Sequence, residues 1–170
     1  MLRKLTGDCR HIFKGLILAA CILAMAGGAF AALEKGTAPD FSLPDILQGK
    51  NYTLSQYKGK VVMVNFFTFF CMPCREEMPD LNKLYKDYQS KGFQVLGIGL
   101  SSDPTQLRFL VKQIGLDYPV LAGNDKVSKD YGNVEVVPTT FIIDKQGNIA
   151  HKILGVRPKA ELEKMIKALL

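Results

Sequence analysis

The sequence predicts an α/β domain: one mixed central sheet flanked by helices, with an N-terminal β-hairpin. Three observations predict it. Val61 to Phe67 and Phe93 to Leu100 are apolar runs without alternation, the pattern of strands buried on both faces. Segments with apolar residues three and four apart follow each run, which is the spacing of one helix face. Thr139 to Asp144 and Ile149 to Leu154 read as strands separated only by Lys145-Gln146-Gly147-Asn148, a hairpin. The order β-β, β-α-β-α, β-β-α then calls for one mixed sheet with helices on both faces.

Along the chain, a basic stretch (Arg3, Lys4, Arg10, Lys14) precedes an apolar run from Gly15 to Leu33, and Ala29-Phe30-Ala31 fits a small-x-small cleavage site. Residues 1–31 are therefore read as a signal peptide or membrane anchor, and 32–170 as the folded domain. Cleavage after Ala31 is the main reading. Two others stand beside it: residues 15–33 retained as a membrane anchor, and Leu18-Ala19-Ala20-Cys21 as a lipoprotein box. All three place the domain outside the cytoplasm.

After the leader, Phe41-Ser42-Leu43 and Tyr52-Thr53-Leu54 form the expected N-terminal hairpin around a polar turn at Gln48–Asn51, and Ser55 to Gly59 brackets one helical turn. The helix following the Val61–Phe67 strand buries Met78, Leu81, Tyr85 and Tyr88, with Pro79 expected to kink it. Asp103 is a good N-cap with Pro104 at the first helical position, before a buried stripe of Leu107, Leu110, Val111 and Ile114. Tyr118–Leu121 reads as extended, Val127–Tyr131 as a short helix, and Pro158 opens the last helix with Leu162, Met165, Ile166 and Leu169 inward.

Composition excludes some classes. With 48% hydrophobic and 22% charged residues, the 170-residue chain has the makings of a folded core. Its net charge of +6 divides evenly, +3 in residues 1–31 and +3 in the rest. The domain carries no basic block or aromatic–basic interleaving, so nucleic-acid binding has no support.

Cys71-Met72-Pro73-Cys74 carries the chemistry. Of four cysteines, Cys9 and Cys21 belong to the leader, and only this pair remains in the domain. The pair stands at a strand-to-helix junction, where unpaired backbone N–H groups and the helix dipole favour the thiolate of Cys71. Cys74 is one turn on, within reach for a disulfide, so the pair suits reversible two-electron exchange. Zinc would need two more ligands, and His151 is the only histidine outside the leader. A purely structural disulfide closing so small a loop would constrain the unfolded chain little. Arg75, Glu76 and Glu77 read as a solvated first turn in which Arg75 helps the thiolate. Tyr85 and Tyr88 read as core, and His151 as a surface side chain.

These residues carry a resemblance. Ala38-Pro39-Asp40-Phe41, Asn65-Phe66-Phe67 through Cys71-Met72-Pro73-Cys74 to Pro79, and Val136-Val137-Pro138-Thr139-Thr140-Phe141 resemble the thioredoxin superfamily. Within it, residues 36–170 resemble the extracytoplasmic TlpA/ResA-like thiol–disulfide oxidoreductases. The resemblance implies a thioredoxin-like fold without a cofactor or metal, with Cys71 as the exposed nucleophile and Cys74 as the resolving thiol. It implies a cis peptide before Pro138, a client strand paired with Val137, and a docking surface of Phe70, Met72 and Pro73. It also implies disulfide-containing protein substrates in the periplasm or on the outer face of the bacterial cytoplasmic membrane. Reduction is the implied direction, as in cytochrome c biogenesis or oxidase assembly, with electrons from a membrane thiol reductase of the DsbD/CcdA type.

The chain departs from the family pattern at three places. Phe70 stands where many members have tryptophan. Asn65 stands where cytoplasmic thioredoxins bury an acid, which leaves Glu135 as the candidate proton relay. The glutamate that usually follows the third main strand has no counterpart in Leu100-Ser101-Ser102-Asp103. Two alternatives remain. A peroxiredoxin-like thiol peroxidase has Thr68 in its favour, but Val64 and the second cysteine against it. A non-catalytic binding module on the same fold is the other. A Sco-type copper carrier would need a wider cysteine spacing and a nearby histidine.

Overall fold

In a computed structural model of the protein, the described residues are 36–170. The leader readings (the signal peptide or anchor, and the Cys21 box) lie outside them. Among the described residues, no helix is long and apolar enough to cross a membrane.

The N-terminal hairpin pairs β1 (Ser42–Pro44) with β2 (Asn51–Thr53), Leu43 opposite Tyr52. Asp45 shapes the chain between them, its Oδ1 accepting the backbone N–H of Leu47 at 2.9 Å and of Gln48 at 2.7 Å. The main sheet holds β3 (Val61–Phe67), β4 (Phe93–Gly99), β5 (Val120–Ala122), β6 (Thr139–Ile143) and β7 (Ile149–Leu154) in the order β5-β4-β3-β6-β7. β3, β4 and β5 run parallel; β6 is antiparallel to β3, and β7 to β6. The expected mixed sheet and hairpin are therefore present. All seven residues of β3 and of β4 are buried, as their unbroken apolar runs require.

Helix α1 (Met72–Tyr88) joins β3 to β4, and α2 (Pro104–Ile114) joins β4 to β5. Right-handed crossovers stepping the same way along the sheet put both helices on one face, where α4 (Lys159–Leu169) joins them over a shared core. The short α3 (Asp125–Asp130) and the hairpin cover the other face. The expected start of α2 is correct: Asp103 accepts the Thr105 N–H at 2.7 Å, and the Gln106 side chain returns a bond to the Asp103 N–H. β4 ends one residue earlier than the sequence suggests. A Cβ at Gly99 would lie 2.6 Å from Leu107, so glycine lets α2 close on the end of the strand.

The first turns of α1 differ from expectation. The helix begins at Met72, with Cys71 as N-cap and Pro73 in its first turn, so Glu76 and Glu77 fall in the second turn. Glu76 is exposed, but Glu77 is buried on the same helix face as Cys74, Leu81 and Leu84. The reading of Glu77 as a solvated residue is overturned by that register. Pro79 sits within the helix, which continues unbroken past it, and Tyr85 is half-buried where Leu84 takes the fully buried position.

Candidate active site

The C-terminal end of β3 delivers the chain to Phe69 and Phe70, and the start of α1 turns the cysteines toward β6. Ser102 secures the approach. Its Oγ donates to the Leu100 carbonyl at 2.7 Å and accepts the Phe69 N–H at 2.9 Å. Cys71 and Cys74 are joined, with sulfurs 2.04 Å apart. Cys71 Sγ also accepts the Cys74 backbone N–H at 3.2 Å, so an otherwise unpaired donor of the first helical turn points at the outer sulfur. Cys71 is half-buried and Cys74 has no exposed surface.

Facing the pair is the turn before β6. The Val137–Pro138 peptide is cis, and the Val137 carbonyl oxygen lies 3.7 Å from Cys71 Sγ. Proline there presents no backbone N–H to the sulfurs. Beside the cysteines and the cis turn along the chain, Phe70, Met72 and Val136 are exposed apolar side chains, at 77%, 60% and 56%. Phe70 meets Phe69 edge-on, with ring centres 5.0 Å apart. Arg75 reaches the Phe69 ring and Gln113. Its guanidinium lies 5.8 Å from the Phe69 ring and bonds Gln113 Oε1 at 3.2 Å.

Beneath Cys74 lies a buried polar chain. Asn65 Nδ2 uses both hydrogens, donating to Glu77 Oε1 at 2.8 Å and to Thr140 Oγ1 at 3.0 Å. Asn65 and Thr140 are opposite each other in the β3–β6 register, which fixes the reach of the amide. Burial pushes the Glu77 carboxyl up to about 7, partly offset by the Asn65 hydrogen bond to its charged form. Three residues after Cys74 on one helix, Glu77 faces the same side as the buried thiol position.

Glu135, the proton-relay candidate from sequence, is placed elsewhere. It is exposed, accepts from Asn133 Nδ2 at 2.6 Å, and lines a cavity of about 160 Å³ with Thr68, Ser101 and Val137, into which neither cysteine opens. The titratable group buried on the helix face of Cys74 is Glu77. Its signal was present in the sequence, since positions 74, 77, 81, 84 and 88 follow the helical period. Among the described residues, no group of three or more His, Cys, Asp and Glu side chains comes together as a metal site would require.

Comparison with known proteins agrees with this fold. The Redoxin family model matches residues 34–169. The thiol–disulfide oxidoreductase ResA of Geobacillus kaustophilus is 37% identical over 134 residues, covering 78% of this chain and 76% of that protein. A thiol:disulfide interchange protein of the thioredoxin family from Chlorobium tepidum superposes with a TM-score of 0.73 at 33% identity, covering 78% of this chain and 94% of that one. A secreted thiol-disulfide isomerase from Corynebacterium glutamicum superposes with a TM-score of 0.75 at 27% identity, covering 79% and 86%.

Proposed function

Because this chain belongs to the Redoxin family and is a ResA/TlpA-like thiol–disulfide oxidoreductase of the thioredoxin superfamily, we propose that it reduces protein disulfides outside the cytoplasm through Cys71 and Cys74. The observation that carries this reading is the order of three groups along one helix: a half-buried sulfur at its N-terminus, a fully buried one a turn on, and a buried acid on the same face as the second. In the reduced protein, Cys71 is the thiolate, held by the Cys74 N–H and the helix dipole. It attacks a client disulfide and forms a Cys71–client bond, and the first client sulfur leaves as a thiolate that takes a proton from water.

Resolution needs the second thiol deprotonated, which burial opposes. Glu77, poised at about 7, is the base that accepts the Cys74 proton at neutral pH. Cys74 then attacks Cys71 Sγ, the second client thiol is released with the proton from Glu77, and the Cys71–Cys74 disulfide remains. Two electrons have passed from the protein to the client. The client lies as an extended strand against Val137 and Pro138, its apolar flanks on Phe70, Met72 and Pro73.

Pro73 favours the reducing direction, as in reducing relatives. In an oxidising compartment the disulfide is then re-reduced by a membrane thiol reductase of the DsbD/CcdA type. The leader exports the domain or anchors it through residues 15–33, and the clients are apocytochrome c thiols or an oxidase copper site. The test is insulin reduction by the full chain beside Cys71→Ser, with Cys74→Ser to trap the mixed disulfide. Activity in Cys71→Ser equal to wild type would end the exchange mechanism. A Cys71/Cys74 potential as oxidising as that of DsbA, about −120 mV, would reverse the direction.

A further inference from the structure

Tyr118 is a buried phenol with no bonding partner. The residue is 3% exposed, and its hydroxyl is one of two buried side-chain polar atoms without a hydrogen bond among the described residues; the other is Asn65 Oδ1. Both lie on the α1 side of the sheet. A Cβ built at Gly97 would sit 3.2 Å from Tyr118 Cε2, and Gly97 is the register partner of Asn65 on the adjacent strand. The ring therefore lies one strand over from the Asn65–Glu77 hydrogen bond, on the same face.

It is held there by α1 itself. Asn82 donates to the Gly115 carbonyl at 3.1 Å and accepts the Asp117 N–H at 2.8 Å, which ties the segment leading to Tyr118 to the helix that carries Glu77. A phenylalanine would fill the same space without burying an unpaired hydroxyl.

We propose that Tyr118 is a positioning residue for Glu77: its hydroxyl is the second buried donor to which the Glu77 carboxylate turns when it ionises. The inference rests on the reading of Glu77 as the base for Cys74. An ionised carboxylate accepts several hydrogen bonds, and Asn65 supplies one. Asn65 has no hydrogen left to give, since its other one is held by Thr140. Burial, and then the charge of Glu77, push the Tyr118 phenol upward, so it remains a donor throughout the range in which Glu77 titrates. Around Glu77, Asn65 of β3 bonds it directly, Cys74 shares its helix face, Thr140 of β6 bonds Asn65, and Tyr118 of the segment before β5 is influenced by its charge. Further along α1, Lys86 and Asp117 are paired with each other at 2.7 Å.

The test is Tyr118→Phe in the full chain, with glutamate carboxyls carbon-13 labelled and Glu77 assigned by its disappearance in Glu77→Gln. In the reduced protein, the Glu77 midpoint should rise by about one pH unit, because a donor to the anion has been removed. The alkaline shift should appear equally in the pH profile of insulin reduction. A midpoint that stays or falls, with thermal stability kept or raised, would overturn the inference and leave the hydroxyl a packing defect. If the midpoint rises while the exchange profile does not follow, the Tyr118 inference stands and the base role of Glu77 fails.

Discussion

β3 separates two interiors built on different terms. Its even-numbered residues Val62, Val64 and Phe66 face the hairpin and α3, where the core is aromatic and its buried tyrosine is satisfied. Phe66, Phe141 and Tyr131 pack with ring centres 5.0 to 5.9 Å apart, and the Tyr131 hydroxyl donates to the Pro39 carbonyl at 2.9 Å. The odd-numbered Val61, Met63, Asn65 and Phe67 face α1. There the interior holds an acid at about 7, an amide with a spare oxygen, and a tyrosine without a partner. One face is organised for cohesion. The other keeps polar groups that are not all paired, where a fully satisfied network would fix each partner.

The comparison breaks most visibly at Phe141. Phe141→Ala empties the centre of the aromatic face and should lower unfolding free energy by about 3–5 kcal/mol, measured by urea unfolding. Reduction kinetics below the transition should keep their pH profile. A moved profile would mean that the two faces are coupled through the sheet.

Glu77→Gln should act in the opposite sense on the other face. The folded carboxyl titrates above its ordinary value, so folding binds a proton more tightly than the unfolded chain does. Stability is then full below the unfolded value near 4.5 and is lost as pH rises through about 7. The Gln variant should lack that slope and exceed wild type at pH 8 by roughly 2–3 kcal/mol. At pH 4 the two should unfold together, and resolution of the mixed disulfide should slow at neutral pH.

The smallest effects separate the two tyrosines. Tyr131→Phe removes a satisfied bond and strands the Pro39 carbonyl, at a cost of about 1 kcal/mol in thermal unfolding. Tyr118→Phe removes a hydroxyl that has no bond, so stability should hold or rise slightly. Equal losses at both sites would show that the two interiors do not differ in the way drawn above.

The cysteines and the strands were legible in the sequence because each depends on short-range chemistry, whereas the facing proline was legible only through the family resemblance. A thiol pair at a helix start, an apolar run and a hairpin turn each declare themselves within ten residues. Glu77 was legible in principle, since it falls on the stripe shared by Cys74, Leu81 and Leu84. Its charge suggested the solvated side instead, which is where an unpaired carboxylate ordinarily belongs. Glu135 lies three residues before Pro138 along the chain, yet the loop turns it outward to Asn133. Tyr118 carried no periodic signal, because the segment before β5 is too short to have one.

By itself, the sequence determined the α/β class, the mixed sheet with its hairpin, and the redox pair; the cis turn that faces the pair was implied only by the family resemblance. The first three follow from local covalent and periodic constraints. Which acid is buried on the helix face of Cys74, and which tyrosine lies on the same side of the sheet, was decided only when β3, β4, β6 and α1 packed together. A carboxyl's protonation depends on the dielectric and the donors around it, and Glu77 receives both from residues distant in sequence.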